Sequence, residues 1–262
     1  MIPTSVGELT APWPTGLLTP GYPDAEIASV TVEPVGSGQM AGSFRITPTY
    51  ASTGATSTRA PDTMVAKLAI GERSQREFAA GMFRNEVLFY QQFAPTVTVP
   101  RCHGSVISAV NTEFVLLLED MAPAVQGDQI AGCSAYQAQA VAVAAAGLHA
   151  PRWCDDSLFE LPGLSLPDHE DRVPMDSVLE PMADVFRARF PLTGREAATV
   201  DWLVAEAGDW LARTPQRFAL IHGDLRIDNV CSVRTVRSPS STGRPSPSVM
   251  RCATSPSCSR RA

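Results

Sequence analysis

Apolar and polar positions between Ile27 and Tyr50 alternate with a period of two and predict a pair of strands. The arms are Val30-Thr31-Val32-Glu33-Pro34-Val35 and Ser43-Phe44-Arg45-Ile46-Thr47, with Gly36, Gly38 and Gly42 in the connection. After a polar stretch over 51–62, Met64-Val65-Ala66-Lys67-Leu68 predicts another short strand. The period then lengthens. Ala79, Met82, Phe83, Tyr90 and Phe93 recur on one face of a helix expected to run from Ser74 to about Phe93, with Ser74 and Glu77 as its capping box. Glu86 falls on that same apolar stripe. A buried carboxylate is costly unless a cation meets it, so the pattern itself demands a partner for Glu86.

Further on, Phe114-Val115-Leu116-Leu117-Leu118 predicts a strand with no polar face, ending in Glu119-Asp120-Met121. Ser134 and Gln137 form a capping box for an Ala-rich helix to about Leu148. Two more helices are expected near 177–190 and 196–212, the second with Val200, Leu203, Val204, Ala207 and Leu211 on one face. Phe218-Ala219-Leu220-Ile221 reads as a short buried strand that delivers His222-Gly223-Asp224. Strands with one helix come first, then mostly helices. That order predicts an α+β chain of two lobes. Residues 1–26 form an irregular lead-in with room for one short helix. A small β-rich N-lobe follows over 27–120, then a helical C-lobe over 121–230 and a tail over 231–262.

Composition narrows the class. The chain has 262 residues, 44% apolar and 18% charged, enough for a real core. No run approaches the roughly 18 apolar residues of a membrane span, and the N-terminus lacks a basic segment followed by an apolar one. Six cysteines without CxxC spacing predict reduced, mostly buried thiols in a cytoplasmic protein. The net charge of −6 conceals a tail of +6, six arginines without Asp, Glu or Lys, so residues 1–230 carry −12. An acidic body argues against a nucleic-acid partner, and nothing points to a membrane.

The segment His222-Gly223-Asp224-Leu225-Arg226-Ile227-Asp228-Asn229 fits H-x-D-x-x-x-x-N, the catalytic-loop pattern of kinases. Phosphoryl transfer needs a hydroxyl and a γ-phosphate held in line, with little covalent work from the protein. Asp224 is the candidate for orienting or accepting the hydroxyl proton, and Asn229 offers a neutral oxygen suited to Mg²⁺. His222 is expected to brace the loop. Upstream, Val65-Ala66-Lys67 resembles the kinase strand lysine and precedes Glu86 by 19 residues, so Lys67 is the expected cation for that carboxylate. Gly36 and Gly38 are candidates for a phosphate-covering loop or an ordinary hairpin turn. Glu119 to Met121 fall where a hinge between lobes would hold adenine through its backbone.

Taken with Leu148-His149-Ala150-Pro151-Arg152-Trp153, these residues make the chain resemble the small-molecule phosphotransferases that include aminoglycoside, choline and ecdysteroid-kinase-like enzymes. The resemblance covers about residues 27–230. It implies a protein-kinase-like fold, ATP with Mg²⁺, and transfer to a hydroxyl of a small molecule. Asp224 would then be the catalytic base, Asn229 a metal ligand, and Lys67 with Glu86 the phosphate-positioning pair. A protein kinase is disfavoured by Gly223, where those enzymes usually carry Arg, and by the absence of D-F-G and A-P-E.

The family places a second metal-binding Asp shortly after the asparagine and then adds helices. Here no Asp or Glu follows Asp228, which implies an incomplete C-lobe. Residues 231–262 hold nine Ser, six Arg and four Pro, with no Leu, Ile, Phe, Tyr or Trp, a composition that predicts disorder. The abrupt change at Cys231 is what a reading-frame change in a GC-rich gene would produce, a native basic tail being the competing explanation. Two functions remain open: a small-molecule kinase with impaired activity, or a non-catalytic nucleotide-binding scaffold.

Overall fold

The alternating first third of the chain becomes a five-stranded antiparallel sheet, in the order β1-β2-β3-β5-β4. A short helix, α1 (Pro12–Leu18), precedes it. The strands are β1 (Ile27–Pro34), β2 (Ala41–Tyr50), β3 (Met64–Ala69), β4 (Cys102–Ile107) and β5 (Phe114–Glu119), with helix α2 (Arg73–Gln92) between β3 and β4. The computed structural model describes residues 2–35, 41–51, 60–94, 97–166, 168–213, 217–232, 250–252 and 257–260.

One face of the sheet turns Ile46, Met64, Ala66, Leu68, Val115 and Leu117 into a core shared with Leu9, Leu18, Tyr22 and Ile27. The lead-in is therefore structural. Fully burying a leucine such as Leu18 stabilises by about 1.5–3 kcal/mol. Gly104 on β4 makes the approach of α1 possible, because a Cβ there would lie 2.6 Å from the Leu17 carbonyl oxygen. The opposite face carries Phe114 and Leu116 and is covered at that end by α2, with Phe83 and Phe114 ring centroids 4.6 Å apart.

Helix α2 starts earlier than its pattern predicts. Glu72 is the N-cap and Gln75 closes the capping box, in place of Ser74 and Glu77, because a left-handed Gly71 (φ 86°) already turns the chain into Arg73. The buried stripe runs through Ala79, Phe83, Glu86, Val87 and Tyr90. Met82, one position off that stripe, is half exposed. Two further strands, β6 (Val125–Gln126) and β8 (Val230–Ser232), pair antiparallel. Between them in sequence come α3 (Ala135–His149), α4 (His169–Arg189), α5 (Gly194–Ala212) and β7 (Phe218–Ile221). Ser134 caps α3 with Gln137 as its pattern predicts. Within the tail, β9 (Met250–Cys252) pairs with β8 and β10 (Ser257–Arg260) with β7.

The chain divides into two compact units, Met1–Pro151 with Ile221–Ser257, and Arg152–Leu220 with Cys258–Ala262. The first holds the sheet, α2, α3 and the His222–Asn229 loop. In the second, α4 and α5 are joined by ion pairs from Arg172 to Asp209 and from Arg187 to Asp201. Their apolar side chains are far from fully covered: Trp202, Trp210, Met182 and Val185 are more than half exposed. Thiol burial also departs from expectation. Cys133 and Cys154 are exposed, and Cys102 and Cys231 are half-buried. No helix among the described residues is long and apolar enough to cross a membrane.

Candidate functional site

Alternation on β3 sends Met64, Ala66 and Leu68 into the core and turns Val65 and Lys67 to the other face. Helix α2 lies against that face, and Glu86 sits on its buried stripe one turn after Phe83. The Lys67 Nζ donates to Glu86 Oε1 at 2.6 Å. The two side chains are only 13% and 6% exposed, so the carboxylate on an apolar stripe has the cation it requires.

At the end of β5, Glu119 pairs with Met64 across the ladder. Its carboxylate accepts the Arg101 N–H at 3.0 Å, and its own N–H donates to the Arg101 carbonyl at 2.7 Å. Asp120 takes a two-point contact from Arg45 on β2: Nε to Oδ2 at 2.7 Å and Nη2 to Oδ1 at 3.2 Å. Burial pushes the Asp120 carboxyl up. The Arg45 guanidinium, the Ala122 N–H and the Thr63 hydroxyl outweigh it and hold the group below its ordinary value. Met121 accepts the Ala124 N–H through its carbonyl.

The short strand β7 delivers the third group. Gly223 adopts φ 79°, a left-handed conformation that favours glycine over the arginine of protein kinases. It folds the chain so that the buried His222 accepts the Asp224 N–H on Nδ1 at 3.3 Å. Asn229 donates through Nδ2 to the Asp224 carbonyl at 2.8 Å and to its Oδ2 at 3.1 Å. Arg226 Nε lies 3.0 Å from Asp224 Oδ1 and 3.4 Å from Asp228 Oδ1. The Asp224 side chain is 61% exposed.

β6 clamps this loop from the side. Gln126 Nε2 donates to the Asp228 carbonyl at 2.5 Å, and the Gly127 N–H donates to Val230 at 3.0 Å. A Cβ at Gly127 would overlap the Ile227 carbonyl. Because β6 follows Met121 by only a few residues, the segment leaving β5 and the loop are tied through one short ladder.

Two hydrogen-bonded groups result, Lys67 with Glu86, and His222 with Asp224 and Asn229. Glu119 and Met121 sit at the end of the strand paired with the one that carries Lys67. Gly36 and Gly38 lie outside the described residues. Sequence reasoning missed Arg45, Gln126, Gly127 and Arg226. Arg226 stood inside the motif, between two carboxylates, and its charge was the available signal. Arg45 and Asp120 are 75 residues apart, with no local pattern to connect them.

No family model matches the sequence, and no curated protein matches it. Among solved structures, a complex of the aminoglycoside phosphotransferase APH(2'')-IIIa with GDP and kanamycin is similar at 15% identity. The match covers 84% of this chain and 67% of that one, with a TM-score of 0.45. A GDP complex of a mutant aminoglycoside 2'-phosphotransferase IIIa is similar at 15% identity over 94% of this chain and 73% of that one, with a TM-score of 0.49. The chain is thus similar over most of its length to two nucleotide complexes of aminoglycoside phosphotransferases.

Proposed function

We propose that this chain is built as an ATP-dependent phosphotransferase acting on a hydroxyl of a small molecule in the cytoplasm. The observation that carries the reading is the buried contact of Lys67 with Glu86, made by a strand and a helix in the order a phosphate-positioning pair requires. In this reading Lys67 holds the α- and β-phosphates and Glu86 keeps its ammonium aimed. Asp224 orients the acceptor hydroxyl and takes its proton, while His222 and Gly223 set the turn that exposes the Asp224 carboxylate. The backbone of Glu119 to Met121 receives the adenine.

Among the described residues, no group of three or more His, Cys, Asp or Glu is placed to hold a metal ion. Asn229 nevertheless fits Mg²⁺ brought in by the nucleotide's own phosphates. Its amide nitrogen is committed to Asp224, which leaves a neutral oxygen as the donor that a hard cation prefers. Bound there, Mg²⁺ would neutralise phosphate charge.

A second reading, nucleotide binding without turnover, is favoured by one specific observation: residues 229–262, where the resemblance places a second metal-binding Asp, contain no Asp or Glu. Binding of a fluorescent ATP analogue, together with ADP release in the presence of a panel of small alcohols and aminoglycosides, separates the two. Transfer abolished by Asp224→Asn, with ATP still bound, supports the enzyme. Binding that Lys67→Met removes, with no transfer to any acceptor, supports the scaffold. A chain that binds no nucleotide refutes both.

A further inference from the structure

We propose that Arg45 is the stacking platform for the base of a purine nucleotide, held flat by Asp120. The proposal rests on the nucleotide reading and names how that site would recognise its ligand. The β2–β3–β5 ladder fixes the layout. Ser43, Lys67 and Leu116 form one transverse row on the α2-facing side of the sheet, and Arg45, Val65 and Leu118 form the next. Same-face rows lie about 6.5–7 Å apart along a strand. A nucleotide whose phosphates meet Lys67 therefore carries its base, across the ribose, to the row of Val65.

Arg45 occupies that place. From its place opposite Val65 on β2, its side chain reaches across β3 to Asp120, which follows β5 directly, and the contact uses Nε and Nη2 on two different carboxylate oxygens. A two-point contact fixes the plane of a guanidinium as well as its position. Hydrogen bonds run in that plane, so the flat faces remain for stacking on an aromatic ring. Exposure agrees with the assignment: the Asp120 side chain is 5% exposed, whereas that of Arg45 is 33% exposed. The anchor is buried and the platform is open. A lysine at this position would keep the charge and lose the plane.

The experiment compares ATP with tripolyphosphate, which has the phosphates without a base, by isothermal titration calorimetry on the full chain. Arg45→Met is expected to weaken ATP binding about tenfold and to leave tripolyphosphate binding within about twofold. Lys67→Met is expected to weaken both. If Arg45→Met does not fold, Arg45→Lys decides, with the same expected loss for ATP. Equal ATP affinity in Arg45→Lys and the unaltered chain, or equal losses for the two ligands, overturns the proposal and leaves the nucleotide reading intact. An unaltered chain that binds neither ligand overturns both.

Discussion

Replacing Glu86 by leucine leaves the Lys67 ammonium beside an apolar helix stripe with its carboxylate gone. At 2.6 Å, with an effective dielectric of about 20, the pair attracts by about 6 kcal/mol, most of it offset by the desolvation of both ions. What matters is the asymmetry. Removing one partner of a buried pair costs about 3–5 kcal/mol, whereas exchanging both for apolar groups of similar volume is close to neutral. Lys67 keeps 13% of its side chain in contact with solvent, which places the single variants near the lower end, about 3 kcal/mol each. The double variant Lys67→Met/Glu86→Leu should then cost about 1 kcal/mol or less, far below the sum of the singles. Urea unfolding followed by circular dichroism measures all four proteins. Because the chain has two compact units, each transition is fitted with and without an intermediate. Singles that add to the double within about 0.5 kcal/mol would refute the reasoning, since the two side chains would then be uncoupled. The double variant should also fail to bind ATP despite its stability, which separates holding the fold from holding the ligand.

Gly104→Ala forces a Cβ to within 2.6 Å of the Leu17 carbonyl and should destabilise by about 1–3 kcal/mol, read as a lower urea midpoint. Burial pushes the Cys102 thiol up to about 11, so a maleimide at neutral pH should label the exposed Cys133 and Cys154 well before Cys102, as mapped by peptide mass spectrometry. The depressed Asp120 carboxyl contributes stability above its ordinary value of 3.8 and loses that contribution as pH falls through its lower folded value. Asp120→Asn should therefore lose stability at neutral pH and close the gap to the unaltered chain in acid unfolding below pH 3.8. A gap that is constant across that window would count against the Arg45 contact.

Local period made much of the fold legible. β3, β5, α3 and β7 begin and end within a residue or two of where alternation, apolar runs or a capping box place them. β4 escaped because Cys-His-Gly-Ser-Val-Ile lacks alternation; it is an edge strand whose place depends on pairing with β5 rather than on its own pattern. The shift of the α2 cap to Glu72 came from a left-handed glycine, which no hydrophobic period reports. At the site, Lys67 and Glu86 were legible together because a carboxylate on an apolar stripe poses a question that only a cation answers. Arg45 posed none. A half-exposed arginine on a β-strand is ordinary until the fold brings it to Asp120, and the clamp of Gln126 on the loop is likewise visible only once β6 and β8 have paired.

The packing of the lead-in against the sheet bears on how the chain is made. Leu9 and Leu18 are synthesised well before part of the surface that buries them, Val115 and Leu117, which follow roughly a hundred residues later. Loop closure over such a span must precede its reward, which slows folding relative to local contacts. The core around Leu9 and Leu18 is therefore complete only once β5 has been made, and until then part of their apolar surface lacks its native cover.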